Sequence, residues 1–402
     1  MVRRFIMTGL AMALLSTGVV AGTAMAPGGA GAANLKPLVI ASIGNYSGGG
    51  TTSSNDGAEA AITAWAKWVN AHGGVAGHHV DLLIKDDKST PAASTADVKK
   101  LVQTDHVIAF VMAFDTATES GWSSYVDSQK IPVVGGDLNT PTWITKPMFF
   151  PEGTTVDKLI AGGLYAAHKT GAKKAGYIVC SNVAACQQAA TLAKTTAPHY
   201  TLDYVYTGLV LPGAASYTST CLAAKTSGAQ AIGFGIAPDT GIRVATDCAS
   251  QGYHPTYLIS SQSVTSAMEH TAALTGMRNV YTDFPWYANS TPAQQTYHQA
   301  INKYAKSYGA TIANSASSAQ GWVSGQLFAA AAKAAKFTQI ANPTSADVLK
   351  GLYKLQKATL GGLAPPLTYK SGQAAGSVSC FFIGGLKNGK FITPYGSKSF
   401  CL

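Results

Sequence analysis

Asn70-Ala71-His72-Gly73-Gly74-Val75-Ala76-Gly77-His78-His79-Val80 joins two different apolar rhythms in this chain. Before it, over residues 55–71, Ala58, Ala61, Ile62, Trp65 and Val69 recur at the three-and-four spacing of one helix face. Gly73 and Gly74 can take the positive φ that closes such a helix. After it, Val80-Asp81-Leu82-Leu83-Ile84-Lys85 reads as a strand. A glycine-closed helix that passes directly into a strand is one half of an α/β repeat.

The same alternation extends in both directions. Residues 38–43 (Leu-Val-Ile-Ala-Ser-Ile) predict a buried strand ahead of the first helix. Downstream, helices at 95–104 and 116–128 alternate with strands at 107–112 and 132–135. That order implies a parallel sheet covered on both faces. The rhythm then restarts, with strands at 175–179, 204–206, 231–234 and 257–259 and helices at 187–196, 218–226, 241–250 and 264–274. Between the two series, Lys146-Pro147-Met148-Phe149-Phe150-Pro151 brackets an apolar extended segment with prolines, as an interdomain crossing would. Helices at 292–307, 319–336 and from Thr344 follow, and Pro365-Pro366 ends the helical part. Asn388-Gly389 between apolar runs predicts a hairpin.

A chain of 402 residues with 47% hydrophobic and 12% charged residues has material for two packed domains and none of the character of a disordered tail. Met1-Val2-Arg3-Arg4 and the apolar run at 5–20 read as a secretory signal covering residues 1–32, with Ala30-Gly31-Ala32 as the cleavage site. Ala24-Met25-Ala26 also fits, but the following Pro27 hinders cleavage there. With no cysteine nearby to be acylated, a soluble exported protein is expected. Arg3-Arg4 hints at twin-arginine export without support from its neighbours. The formal charge of +10 comes from scattered lysines, not from a basic stripe with aromatic platforms, so nucleic acid is not an expected partner. The six cysteines, 180, 186, 221, 248, 380 and 401, favour disulfides in an exported chain; none forms a C-x-x-C pair, and 15 connectivities are open.

The opening stretch resembles the N-x-x-G-G-(I/V)-x-G-(R/H)-x-(I/V) pattern of the type I periplasmic-binding-protein family, the leucine/isoleucine/valine-binding branch. Other segments resemble that family in order: Asp86-Asp87 with Pro91, Ile131-Pro132-Val133-Val134-Gly135, Gly252-Tyr253-His254-Pro255, Leu360-Gly361-Gly362-Leu363, Pro366-Leu367-Thr368-Tyr369 and Asn388-Gly389-Lys390-Phe391. The resemblance implies an α/β fold of two Rossmann-like lobes joined by three crossovers. Lobe 1 would be residues 36–148 and 283–375, and lobe 2 residues 149–282 and 376–402. It implies a monomer that closes on a small-molecule ligand and docks transiently on an ABC permease complex. On that layout three local disulfides are expected within lobe 2: Cys180–Cys186, Cys221–Cys248 and Cys380–Cys401.

In open parallel sheets ligands sit beyond the carboxyl ends of the strands. That rule selects Asn45 and Tyr46 after the first strand, Phe114, Asp115 and Thr116 after the third, and Asp137 and Asn139 after the fourth. In the second series it selects Asn182, Ser261 and Gln262. The family holds an amino-acid carboxylate with hydroxyls and N–H groups after the third and fourth strands, and the ammonium with an acid in lobe 2. Here the first place offers Asp115 and Asp137 with only Thr116 as a hydroxyl, with Asp115 a candidate helix cap; the second offers Ser261 and Gln262. A small polar or amide-like solute is therefore expected, with Tyr46 and Phe114 as walls for an aromatic body, alongside the family's default of an amino acid.

No cofactor or metal site is expected. Gly48-Gly49-Gly50 lacks the Lys-Ser/Thr of a phosphate loop. His72, His78 and His79 read as surface residues, and Asp86-Asp87 as a helix-capping turn. An enzyme on this scaffold lacks a nucleophile–base pair. The ligand-binding subunit of an envelope sensor stays open as an alternative to import.

Overall fold

The computed structural model describes residues 35–47, 55–182 and 184–402. The expected signal segment 1–32 and Gly48-Gly49-Gly50 lie outside the described residues.

The first series runs β1 (Leu38–Gly44), α1 (Asp56–Ala71), β2 (Val80–Asp86), α2 (Pro91–Gln103), β3 (Ala109–Phe114), α3 (Ser123–Gln129), β4 (Val133–Gly136), α4 (Thr142–Thr145) and β5 (Phe149–Phe150). Its five strands form one parallel sheet in the order β2-β1-β3-β4-β5. Six of the seven residues of β1 are buried, as expected where helices cover both faces.

The Asn70–Val80 stretch sets the register of this sheet. The Asn70 side-chain amide donates to Val80 O at 2.9 Å and accepts from Val80 N at 2.8 Å, so it stands in for a neighbouring strand and fixes where β2 begins. Gly73 and Gly74 sit at φ 91° and 79°, and a Cβ on Gly74 would stand 2.0 Å from His78 O. His78 corrects the surface expectation made for the three histidines. It is fully buried, with its ring nitrogens 2.7 and 3.0 Å from the carbonyl oxygens of Lys36 and Phe337. His72 and His79 are exposed, as expected.

The second series runs α5 (Val156–Lys169), β6 (Lys174–Cys180), α6 (Ala184–Thr196), β7 (Asp203–Val210), α7 (Thr218–Thr226), β8 (Ala231–Gly235), α8 (Pro238–Ser250), β9 (Thr256–Ser260) and β10 (Arg278–Tyr281). These strands pair in parallel in the order β7-β6-β8-β9-β10. Numbered within its own series, each lobe has the order 2-1-3-4-5, so one topology is used twice. The chain then returns to the first lobe through α9 (Pro292–Tyr304), α10 (Ala310–Ala313), α11 (Ala316–Ala334) and α12 (Ser345–Leu352). Of these, α9, α10 and α11 pack on α1, and α12 packs on α11. It ends in the second sheet with β11 (Cys380–Lys387), β12 (Lys390–Ile392) and β13 (Ser399–Cys401). β11 pairs antiparallel with β10, and Asn388-Gly389 turns the β11–β12 hairpin at φ 51° and 69°.

Several elements differ from the sequence reading. β5 pairs with β4 in the first sheet, although residue 149 was read as the start of lobe 2. The helix expected at 116–128 is broken into a 3-10 turn at Glu119–Gly121 and the short α3. The helix expected at 264–274 is instead a chain of 3-10 turns. α2 begins earlier than expected, with Pro91 in its first turn, where the missing N–H costs nothing. Asp87 is no cap for it: its carboxylate accepts from Ser89 N at 2.9 Å and from Thr118 Oγ1 at 2.6 Å. Sequence reading missed α4, α5 and β10 altogether.

The lobes are joined by three passages of chain. Thr154, in the first, donates from its N–H to Thr282 O at 2.8 Å in the second. Its hydroxyl stands 3.0 Å from that same oxygen and 2.5 Å from Cys380 O at the end of the third. Tyr369 Oη donates to Pro151 O at 2.7 Å. In the second lobe the cysteines pair 180–186, 221–248 and 380–401, and no cysteine is free among the described residues. No described helix is long and apolar enough to cross a membrane.

Candidate ligand-binding cleft

The strand order places a switch point between β1 and β3 in one lobe and between β6 and β8 in the other, and ligands bind such sheets outside the carboxyl ends of their strands. The two carboxyl ends meet. Gln262, just after β9, donates from Nε2 to Asp137 O at 3.0 Å, and Val156 N at the start of α5 donates to Leu138 O at 3.3 Å.

On the first lobe the loops after β3 and β4 are knitted together. Thr116 Oγ1 donates to Asp137 Oδ2 at 2.5 Å, and Asn139 N donates to Asp137 Oδ1 at 3.1 Å. Asn139 Nδ2 lies 3.4 Å from Thr116 Oγ1. The loop after β1 is tied to the loop after β2 instead: Asn45 Nδ2 donates to Ser89 Oγ at 2.6 Å, and Tyr46 N donates to Asp86 Oδ1 at 3.1 Å. Phe114 is half-buried at the end of β3, whose last residue pairs in register with Gly44.

Two of the expected residues are turned away from this edge. The Tyr46 ring belongs to the lobe's apolar core, and its hydroxyl lies 2.6 Å from Ser42 Oγ on β1. It is therefore no wall of the cleft. Asp115 is 2% exposed and accepts from Ser94 Oγ and Trp122 Nε1, both at 2.8 Å, and from the Thr118 hydroxyl. Its carboxylate staples α2 to the segment after β3 and does not cap a helix. On the second lobe Ser261 is buried, with its hydroxyl 3.5 Å from Thr282 Oγ1, while Asn182 is exposed after β6 and shares no described hydrogen bond with the others. The structure thus brings together Thr116, Asp137, Asn139 and Gln262, leaves Asn45 and Phe114 beside them, and sets Asn182 apart.

Sequence reasoning missed a set of buried acids behind this edge. Glu119, Glu152 and Asp283 join Asp115 and Asp137 in being at most 2% exposed, and no described lysine, arginine or histidine pairs with any of the five. Burial pushes Asp115 up to about 7, with Asp87 beside it adding to the rise. Burial, then the charge of Asp137, pushes Glu119 up to about 9. Burial also raises Asp137, against the hydrogen bonds from Thr116 and Asn139. Glu152 and Asp283 sit on adjacent interlobe passages; burial raises both well above the ordinary range, and the charge of Asp283 adds to the rise at Glu152. Little in the sequence marks these residues as neighbours, because only Asp115 and Glu119 share a segment and the other three each come from a separate one.

The second lobe also holds a cavity of about 160 Å³ between α5, α6 and the sheet. Val156, Leu159 and Ile160 of α5 face Phe234, Leu258 and Tyr177 of the strands across it. Ser260 and Gln262 stand at the end nearest the first lobe. Val156, Leu159, Ile160 and Gly163 lie on the one face of α5 that lines it.

Comparison with known proteins agrees with this architecture. Among curated proteins no sequence matches the chain. Solved structures with the same fold include a branched-chain amino acid ABC transporter protein from Thermus thermophilus with bound valine, at 14% identity and TM-score 0.71, covering 91% of this chain and 97% of that one. A fatty acid ABC transporter substrate-binding protein from Thermomonospora curvata aligns at 16% identity and TM-score 0.70, covering 91% and 93%. A solute-binding protein from R. palustris in complex with benzoate aligns at 15% identity and TM-score 0.67, covering 91% and 98%. A family model described as periplasmic binding protein matches residues 37–390, nearly all of the described chain, and the protein therefore belongs to the periplasmic binding protein family.

Proposed function

We propose that this protein captures a small solute between its two lobes, without chemistry on it, and delivers it to an ABC permease. The observation that carries the reading is the meeting of the two carboxyl edges, where Gln262 of one lobe donates to Asp137 O of the other at 3.0 Å. A solute entering there meets groups from both lobes, so its binding free energy favours the closed arrangement over the open one. The ligand-contacting set is Asn45, Phe114, Thr116, Asp137, Asn139, Ser261 and Gln262, with Asn182 joining only on closure. Lobe 1 is residues 36–150 and 283–375, and lobe 2 residues 151–282 and 376–402, with β5 as the last strand of lobe 1 before the chain crosses. The protein acts as an exported monomer, in keeping with its family and its amino-terminal pattern.

The solved relatives carry valine, benzoate or a fatty acid by name, so the family leaves the ligand class open. A thermal-shift screen of the protein without residues 1–32 against small solutes tests the reading. Solutes that bind the folded state raise the melting temperature with concentration. A hit whose effect is lost in Gln262→Ala and Thr116→Ala supports the cleft; a hit indifferent to both removes it.

A further inference from the structure

We infer that the cavity behind the cleft in lobe 2 is a ligand subsite that takes an aromatic ring bearing an uncharged polar group. The inference rests on the solute-binding reading above and names the substrate class for it. Three observations carry it.

The first is size and lining. A cavity of about 160 Å³ walled by Val156, Leu159, Ile160, Phe234 and Leu258 matches the apolar cavities of about 150 Å³ that stay dry and accept benzene. The second is how the space is made. Gly163 lies in the interior of α5, where glycine is a poorer helix former than alanine. A Cβ there would make only ordinary contacts, 3.7 Å from Tyr177 Oη and 3.8 Å from Leu258 Cβ. Alanine fits and would favour the helix; glycine keeps the cavity wide. The third is the distribution of polar groups. Among the described residues nothing hydrogen-bonds the Tyr177 hydroxyl, which faces Gly163 at the inner part of the cavity. At the other end stand Ser260 and Gln262, beside the Asp137 loop of the first lobe. The lining holds no lysine, arginine or histidine. An anionic head group would lie against an acid-rich edge with no cation to hold it, whereas an amide or alcohol has hydroxyl and amide partners.

Calorimetry and thermal shift with benzamide, benzyl alcohol, benzoate and valine, on wild type and on Gly163→Leu and Gly163→Ala, test this. Benzamide or benzyl alcohol should bind, and more tightly than benzoate. Gly163→Leu, whose side chain fills the cavity, should weaken that binding by about tenfold or more. Gly163→Ala should weaken it less while raising the melting temperature, which keeps the test decisive if the leucine variant folds poorly. No response to any ring compound at about 10 mM, equal binding by wild type and both variants, or tighter binding of benzoate would overturn the subsite. Valine binding that depends on Thr116 while no ring compound binds leaves the cleft standing and removes the subsite. Ring binding that depends on Gly163 but not on Gln262 or Thr116 keeps the cavity and removes the cleft.

Discussion

Glu119 is held protonated at neutral pH by its burial and by the charge of Asp137, and Asp115 titrates at about 7. In the unfolded chain both ionise in the ordinary carboxylate range. The folded state therefore binds more protons than the unfolded state between about pH 4 and pH 9, and stability falls as pH rises through that window. Asp86 and Asp157 act the other way: burial raises each, but hydrogen bonds led by those from Ser47 and Ser377 outweigh it and hold them low. Their contribution is lost only on further acidification. The melting temperature should accordingly peak on the acid side of neutrality and decline toward pH 9. Glu119→Gln keeps the side-chain shape and removes the ionisation; it should flatten the decline, with a stability gain over the wild type that grows from pH 5 toward pH 9, read from denaturant titrations. A melting temperature that climbs from pH 5 to pH 9 would contradict this assignment. At this scale the sequence marked Asp115 and Asp137 as loop acids by their place after strands. It could not show that Asp115 faces inward, because the Ser94 and Trp122 partners that turn it come from α2 and the segment before α3.

Helices and strands with uninterrupted apolar rhythm were legible: α1, β1, β2, β6, α7 and the β11–β12 hairpin lie close to where periodicity puts them. α5 was not, since Gly162-Gly163 interrupts its pattern and the segment follows a proline-rich crossing. Gly162 answers to tertiary contact: a Cβ there would stand 2.9 Å from Val280 Cγ1. The turns at 261–274 misled the reading in the opposite sense, with apolar residues at helical spacing that the chain uses one 3-10 turn at a time. The disulfides act at this scale too. Cys221–Cys248 closes a separation of 27 residues between α7 and α8, so replacing both cysteines by alanine should cost about 3 kcal/mol in urea unfolding. A loss well under 1 kcal/mol would mean that packing of the two helices, not the covalent link, holds them.

For the whole molecule, the sequence disclosed two α/β series and the crossing between them, because each strand–helix pair repeats the same local chemistry. It did not disclose that the series share the order 2-1-3-4-5, nor that Thr154 touches all three interlobe passages, since strand order and hinge contacts join residues far apart in the chain. Thr154→Val removes the hydroxyl from Thr282 O and Cys380 O with little change of volume. It should lower stability by about 1 kcal/mol and change the affinity for a cleft ligand, whereas a mere packing position would change stability alone.

The most direct test of the central claim is small-angle X-ray scattering on the protein without residues 1–32, free and saturated with a solute found by thermal shift. Capture between two hinged lobes predicts a smaller radius of gyration in the bound state, lost in Gln262→Ala at matched ligand concentration. A tightly bound solute that leaves the radius unchanged, with the same affinity in Gln262→Ala, would contradict capture in the cleft.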